Sequence, residues 1–78
     1  MSENKLNTAN KKHSLTINRH KTSITLEQVF WDALKKIAEE NKLSVNALIE
    51  KLDAENPGNL SSSVRVFIFN YYKSKYGF

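Results

Sequence analysis

Few side chains in this sequence are placed to do covalent chemistry. His13 and His20 are the only imidazoles, there is no cysteine, and neither histidine has an acidic neighbour at metal-ligand spacing. No metal site is expected from such a set. Ser61, Ser62 and Ser63 form a hydroxyl run with no histidine or carboxylate at a defined spacing to activate them. A serine nucleophile needs such a base, whereas serines ahead of an apolar stretch are suited to capping a helix. The expectation is therefore a protein that is not an enzyme and carries no cofactor. What remains is recognition chemistry, done by ammonium, guanidinium and hydroxyl groups.

The distribution of charge says what could be recognised. Residues 1–26 carry five Lys/Arg against one Glu, for +4; residues 27–56 carry four Lys against seven Asp/Glu, for −3; residues 57–78 carry three cations and no acid, for +3. A basic front end on an acidic middle suits an element that faces nucleic acid, although a basic tail that only aids solubility has the same composition. No apolar run approaches the roughly 18 residues that span a bilayer, and the polar first residues lack the apolar stretch of a signal peptide. Cytoplasmic localisation and no membrane partner are the expectations. At 78 residues without disulfides, a lone core is marginal and a second copy of the chain is the favoured stabiliser.

The elements that must position these groups can be read from the periodicity. Residues 1–12 are polar and aperiodic, and are expected to be a disordered basic arm; residues 13–78 form the single domain. Leu15 and Ile17 alternate with polar residues, and so do Thr22, Ile24 and Leu26, but the apolar phase shifts between the two sets. One straight strand would expose one set. A turn or bulge over 18–20 resolves this, with a short strand near 14–17 and a second near 21–26. Lys21, Ser23 and Thr25 then share the polar face. Thr25 with Gln28 offers a capping box for a first helix over about 27–41, whose Phe30, Ala33, Leu34, Ile37 and Ala38 form an apolar stripe flanked by Trp31. Asn41 and Lys42 close it, with Asn41 suited to a left-handed C-terminal residue. Ser44 caps a second helix over about 44–55 with Val45, Leu48, Ile49 and Leu52 on one side, stopped by Pro57 and Gly58. The last segment, about 61–75, is rich in β-formers, but its serines and final lysines favour a third helix, buried on most sides. Arg65 among apolar neighbours is expected to pair with Glu50, Asp53 or Glu55.

This order of elements resembles the ribbon-helix-helix superfamily of Arc- and MetJ-type DNA-binding proteins. KTSITLE over 21–27 resembles its strand, and LKKIAEENKLSVNALI over 34–49 resembles its two helices and their turn. With residues 58–69 added, the chain looks like a short bacterial variant with a third helix. Lys42 stands where the inter-helix turn usually has glycine, and the Ser-rich start of the third helix also resembles the second helix of many members, so either helix is a candidate for that role.

The resemblance implies a mostly helical homodimer whose β-ribbon is an intermolecular antiparallel two-stranded sheet. It implies a transcriptional regulator, such as a repressor, that inserts the ribbon into the major groove of double-stranded DNA. On that reading Lys21, Ser23 and Thr25 contact bases. Ser44, Val45 and Asn46 at a helix N-terminus contact phosphate, as do Arg19 and His20 at the bend. Ile24, Leu26, Phe30, Trp31, Leu34, Ile37, Leu48 and Phe67 form the dimer core. The alternative is a protein-interaction module, for instance an antitoxin-like partner that uses the third helix to engage a second protein.

Overall fold

Two consecutive left-handed residues close the first pair of elements. The computed structural model describes residues 9–77. Asn18 at φ 51° and Arg19 at φ 73° supply the paired positive φ of a two-residue hairpin turn, whose twist matches that of the strands it joins. The turn connects β1 (Asn10–Ile17) to β2 (His20–Glu27) in an antiparallel ladder running from Asn10↔Glu27 to Ile17↔His20. It also resolves the phase shift, since Leu15 and Ile17 now lie on the same side of the sheet as Ile24 and Leu26. The ribbon expected between two chains is thus formed within one: the partner of the 21–26 strand is β1 of the same chain.

β1 begins at Asn10, so residues 10–12 belong to the ribbon and not to an arm; residues 1–8 of that arm lie outside the described residues. The extra length is held from below. His13 stacks on Trp31 with ring centroids 3.7 Å apart, and the Trp31 indole Nε1–H donates to the Lys11 carbonyl at 3.4 Å. β2 likewise runs on to Glu27, and α1 (Gln28–Glu40) starts without a side-chain cap. Thr25 is therefore a strand residue and not the expected cap. The ladder removes the need for one, because the Gln28 N–H donates to the Ala9 carbonyl at 2.8 Å.

The left-handed residue that follows α1 is Lys42, at the place where the resemblance expects glycine, and not Asn41. Asn41 stays at φ −99° while Lys42 takes φ 59°. The Lys42 N–H donates to the Glu39 carbonyl and the Leu43 N–H to the Ala38 carbonyl, the two-bond pattern of a Schellman end. A side chain in this conformation costs roughly 1–2 kcal/mol that glycine avoids. Lys42→Gly is accordingly expected to stabilise the protein by about 0.5–1 kcal/mol after the added chain entropy of glycine. Thermal unfolding should show a rise of roughly 3–6 °C; a lower melting temperature would contradict the turn geometry.

The reversal leads into α2 (Val45–Glu55), capped by Ser44, whose Oγ accepts from the Ala47 N–H at 3.0 Å. α3 (Leu60–Tyr76) follows a turn in which Gly58 sits at φ 99°. Its cap is Asn59, without a side-chain bond. The serines that follow are used as ties: Ser61 Oγ donates to the Thr25 carbonyl, and Asn56 Nδ2 donates to Ser63 Oγ. Leu26, Leu34, Ile37, Ile49 and Val64 are the fully buried side chains at the centre, where sheet and helices meet.

α3 is covered on one stripe only. Val64 and Ile68 are buried, while Val66, Phe69 and Tyr76 are 57%, 55% and 67% exposed. The hairpin, α1 and α2 all lie on the same side of it, so the expectation of a helix buried on most sides does not hold within one chain. Of the residues assigned to a dimer core, Ile24, Leu26, Trp31, Leu34, Ile37 and Leu48 are buried in this chain's own core, and Phe30 and Phe67 pack half-buried at its margin.

Two ion pairs fasten α3 to the first helix and its entry. Arg65 donates through Nε to Glu27 Oε1 at 2.9 Å, replacing the partners expected on α2. At the other end Glu40 accepts from the Tyr71 hydroxyl at 2.8 Å and pairs with Lys75 at 3.2 Å. The Arg65 hydrogen bond holds the Glu27 carboxyl below its ordinary value, and the Tyr71 and Lys75 bonds do so for Glu40. The same bonds to Glu40 raise Tyr71 and Lys75. Depressed carboxylates stabilise fully above their ordinary pKa of 4.5 and lose this as pH falls through the lower folded value. The raised Tyr71 and Lys75 stabilise fully below their ordinary 10.0 and 10.5 and lose this as pH rises further. Melting temperature should hold level between these limits and fall outside them; a fall starting near neutrality would assign the stability to other groups.

Candidate nucleic-acid interface

Alternation along two paired strands sorts their residues onto two faces. The inner face carries Leu15, Ile17, Ile24 and Leu26 into the core. The outer face carries Lys12, Ser14 and Thr16 from β1 beside Lys21, Ser23 and Thr25 from β2, all six exposed, and ends at the open side on Asn10 and Glu27, whose carboxylate is paired with Arg65. Across the strands Lys12 faces Thr25, Ser14 faces Ser23, and Thr16 faces Lys21. The surface is thus a strip of four hydroxyls with an ammonium at each of two opposite corners, and these six positions hold no carboxylate. Lysine donates to guanine O6 and N7, and hydroxyls donate or accept at any base edge. A two-stranded ribbon has the width the major groove admits.

Lys21, Ser23 and Thr25 lie together on this strip as the alternation required. Sequence reasoning misses Lys12, Ser14 and Thr16 as site residues: Lys12 lies ahead of the strand expected near 14–17, and Ser14 and Thr16 are that strand's polar face. The signal was there, since residues 12–16 (KHSLT) repeat at 21–25 (KTSIT).

The expected phosphate contacts divide. α2 begins beside β1: Asn46 Nδ2 donates to the Thr16 carbonyl at 2.9 Å and to Glu50 Oε2 at 3.3 Å. The Asn46 amide is therefore occupied in fixing α2 to the ribbon edge, and Ser44 Oγ is occupied as the cap. The backbone N–H groups of Val45 and Asn46 belong to the helix's first turn, where intrahelical acceptors are lacking, and they sit at the flank of the ribbon. Arg19 is exposed at the hairpin tip. His20 falls on the opposite side of β2 from Lys21 and lines a groove with Asp53 and Ser61, away from the outer strip. His13 and His20 stand at opposite ends of the hairpin's inner face. Among the described residues no group of three or more His, Cys, Asp or Glu could hold a metal ion, and no helix is long and apolar enough to cross a membrane.

Comparison with known proteins agrees with this architecture. The family described as the ribbon-helix-helix domain matches residues 10–72, a span that opens on the first residue of β1 and closes within α3. No curated protein matches. A solved structure of an uncharacterized protein from Bordetella pertussis Tohama I is similar, with 30% identity and a TM-score of 0.75 over 90% of this chain. The match takes in 61% of that protein's chain, so the present chain spans less than two thirds of its length.

Proposed function

The chain belongs to the ribbon-helix-helix family, a family of DNA-binding regulators, and from that premise we propose that it is a sequence-specific transcriptional regulator of the repressor type. It acts by binding, with no chemical step, and its partner is double-stranded DNA. The observation that carries this reading is the outer strip of the hairpin: two lysines and four hydroxyls, all exposed and without a carboxylate among them. Lys12 and Lys21 donate to guanine edges, and the hydroxyls of Ser14, Thr16, Ser23 and Thr25 fill the positions between. The first turn of α2 and Arg19 reach the flanking phosphates.

Ribbon-helix-helix domains typically dimerise. The homodimer proposed for this chain does not need a second copy to complete the ribbon, so a dimer carries two ribbons. The apolar residues exposed on α3, Val66 and Tyr76 among them, are the surface left for a second copy. Titration of a labelled duplex library at several salt concentrations tests the DNA reading. Affinity should fall linearly in a log–log plot, with a slope near −0.9 for each phosphate neutralised. Sedimentation of the same samples reports whether the bound species holds one chain or two. Absence of any salt-dependent duplex binding would overturn the assignment.

A further inference from the structure

The two strands of the hairpin are written in almost the same letters, and the likeness is confined to one face. Nine residues separate Lys12 from Lys21, Ser14 from Ser23 and Thr16 from Thr25, so three of the four outward positions on each strand recur; the fourth, Asn10 on β1 and Glu27 on β2, ends the ladder on its open side and has no like counterpart. The inward positions are not: Lys11, His13, Leu15 and Ile17 correspond to His20, Thr22, Ile24 and Leu26. A strand repeat kept only for β-propensity would favour neither face. Here the inner side meets an asymmetric core and differs, while the outer side, exposed at all six of these positions, is the same twice.

The register turns this repeat into symmetry. Ser14 pairs with Ser23, Lys12 with Thr25, and Thr16 with Lys21. A half-turn about an axis normal to the sheet, through the Ser14–Ser23 pair, exchanges Lys12 with Lys21, Ser14 with Ser23 and Thr16 with Thr25. The ties to the helices obey the same axis. The Thr16 carbonyl accepts from Asn46 Nδ2 at 2.9 Å and the Thr25 carbonyl from Ser61 Oγ at 3.1 Å. Asn46 and Ser61 are each the second residue of their helix, so α2 and α3 abut opposite edges of the ribbon at equivalent points with equivalent turns. Both helices thus bring their first turn against an edge of the ribbon.

We propose that a single chain presents a two-fold reading surface, and that its DNA target is a short inverted repeat whose dyad lies under the Ser14–Ser23 pair. This rests on the DNA-binding reading above and adds the symmetry of the site. At about 3.3 Å per residue along a strand and about 4.8 Å between strands, the two lysines stand roughly 14 Å apart. That is on the order of four base-pair rises of 3.4 Å. Each lysine meets the guanine acceptors O6 and N7 of one DNA strand, and the symmetry places the two guanines on opposite strands. A duplex satisfies both ends at once only when its sequence is an inverted repeat.

Selection from a random duplex library with the full chain, followed by the same selection with Lys12→Ala and with Lys21→Ala, tests this. The wild type should enrich an inverted repeat with G·C pairs at its ends. Each variant should bind the wild-type site about tenfold more weakly, the two within about threefold of one another. Both should select the same motif, with one end kept and the other relaxed. Melting curves matching wild type confirm that the exposed substitutions leave the fold intact. An asymmetric wild-type motif, or two variants that select different motifs, overturns the two-fold surface while leaving DNA binding standing. A ribbon made from the same strand of two chains gives a different result: Lys21→Ala relaxes both ends and Lys12→Ala neither, which also overturns the proposal. No enrichment of any duplex overturns the DNA reading itself.

Discussion

Trp31→Ala is expected to remove about a third or more of the protein's stability and to lower its urea midpoint accordingly. Trp31 is 3% exposed, and it joins three parts of the structure: the α1 stripe, the His13 ring stacked on it, and the Lys11 carbonyl that its indole N–H reaches. Truncating a buried tryptophan to alanine costs about 3–5 kcal/mol. A chain of this length has a total stability of only roughly 4–12 kcal/mol at about 0.05–0.15 kcal/mol per residue. The loss should appear first at the base of β1, where the ladder over residues 10–13 is held by these contacts and not by apolar alternation. Urea unfolding followed by circular dichroism measures it. A midpoint unchanged from the parent would show that the core does not depend on this side chain.

Ser23→Asp should do the opposite, keeping the fold and abolishing duplex binding. Ser23 is exposed opposite Ser14 at the centre of the outer strip, so the substitution meets solvent in the free protein and should move stability by no more than about 0.5 kcal/mol. Against DNA it sets a carboxylate facing base acceptors within a field of phosphates, and like-charge juxtaposition of this kind costs several kcal/mol. A loss of about 100-fold or more in affinity is expected by fluorescence anisotropy, with an unchanged melting curve. Wild-type affinity in this variant would remove the outer strip from the interface.

How much of this was legible in the sequence depended on which force fixed each element. The 21–26 strand, its inward Ile24 and Leu26, and the apolar stripes of α1 and α2 were readable because burial imposes a period that residue types record. The reversal near 18–20 was readable as a phase shift, although nothing local showed that Arg19 would take a left-handed conformation. β1 at 10–12 was not readable from apolar alternation, since Asn10, Lys11 and Lys12 are all polar and are held by a distant tryptophan; only the KHSLT–KTSIT repeat marks Lys12. The helix start at Thr25 failed for a related reason. A capping pattern is a local signal, and the ladder to Asn10 extended the strand across it. Arg65 has acids nearer in sequence on α2, while its partner Glu27 lies across the fold at the entry to α1. At the site, the register of Lys21, Ser23 and Thr25 came from alternation alone. Their mates on β1 are marked in the sequence only by the nine-residue repeat, and the pairing sets the two copies side by side.

The two-residue turn at Asn18 and Arg19 also bears on when the ribbon comes into existence. Strands separated by so short a loop meet with little entropic cost, and hairpins of this kind form within about 1–10 μs. An isolated hairpin is marginal, so this one becomes lasting when α1 and its Trp31 close beneath it. Every step of that sequence is first order in the chain. A ribbon assembled from two chains is a second-order product that dilution takes apart; this one is as complete in a single newly made molecule as in a concentrated solution.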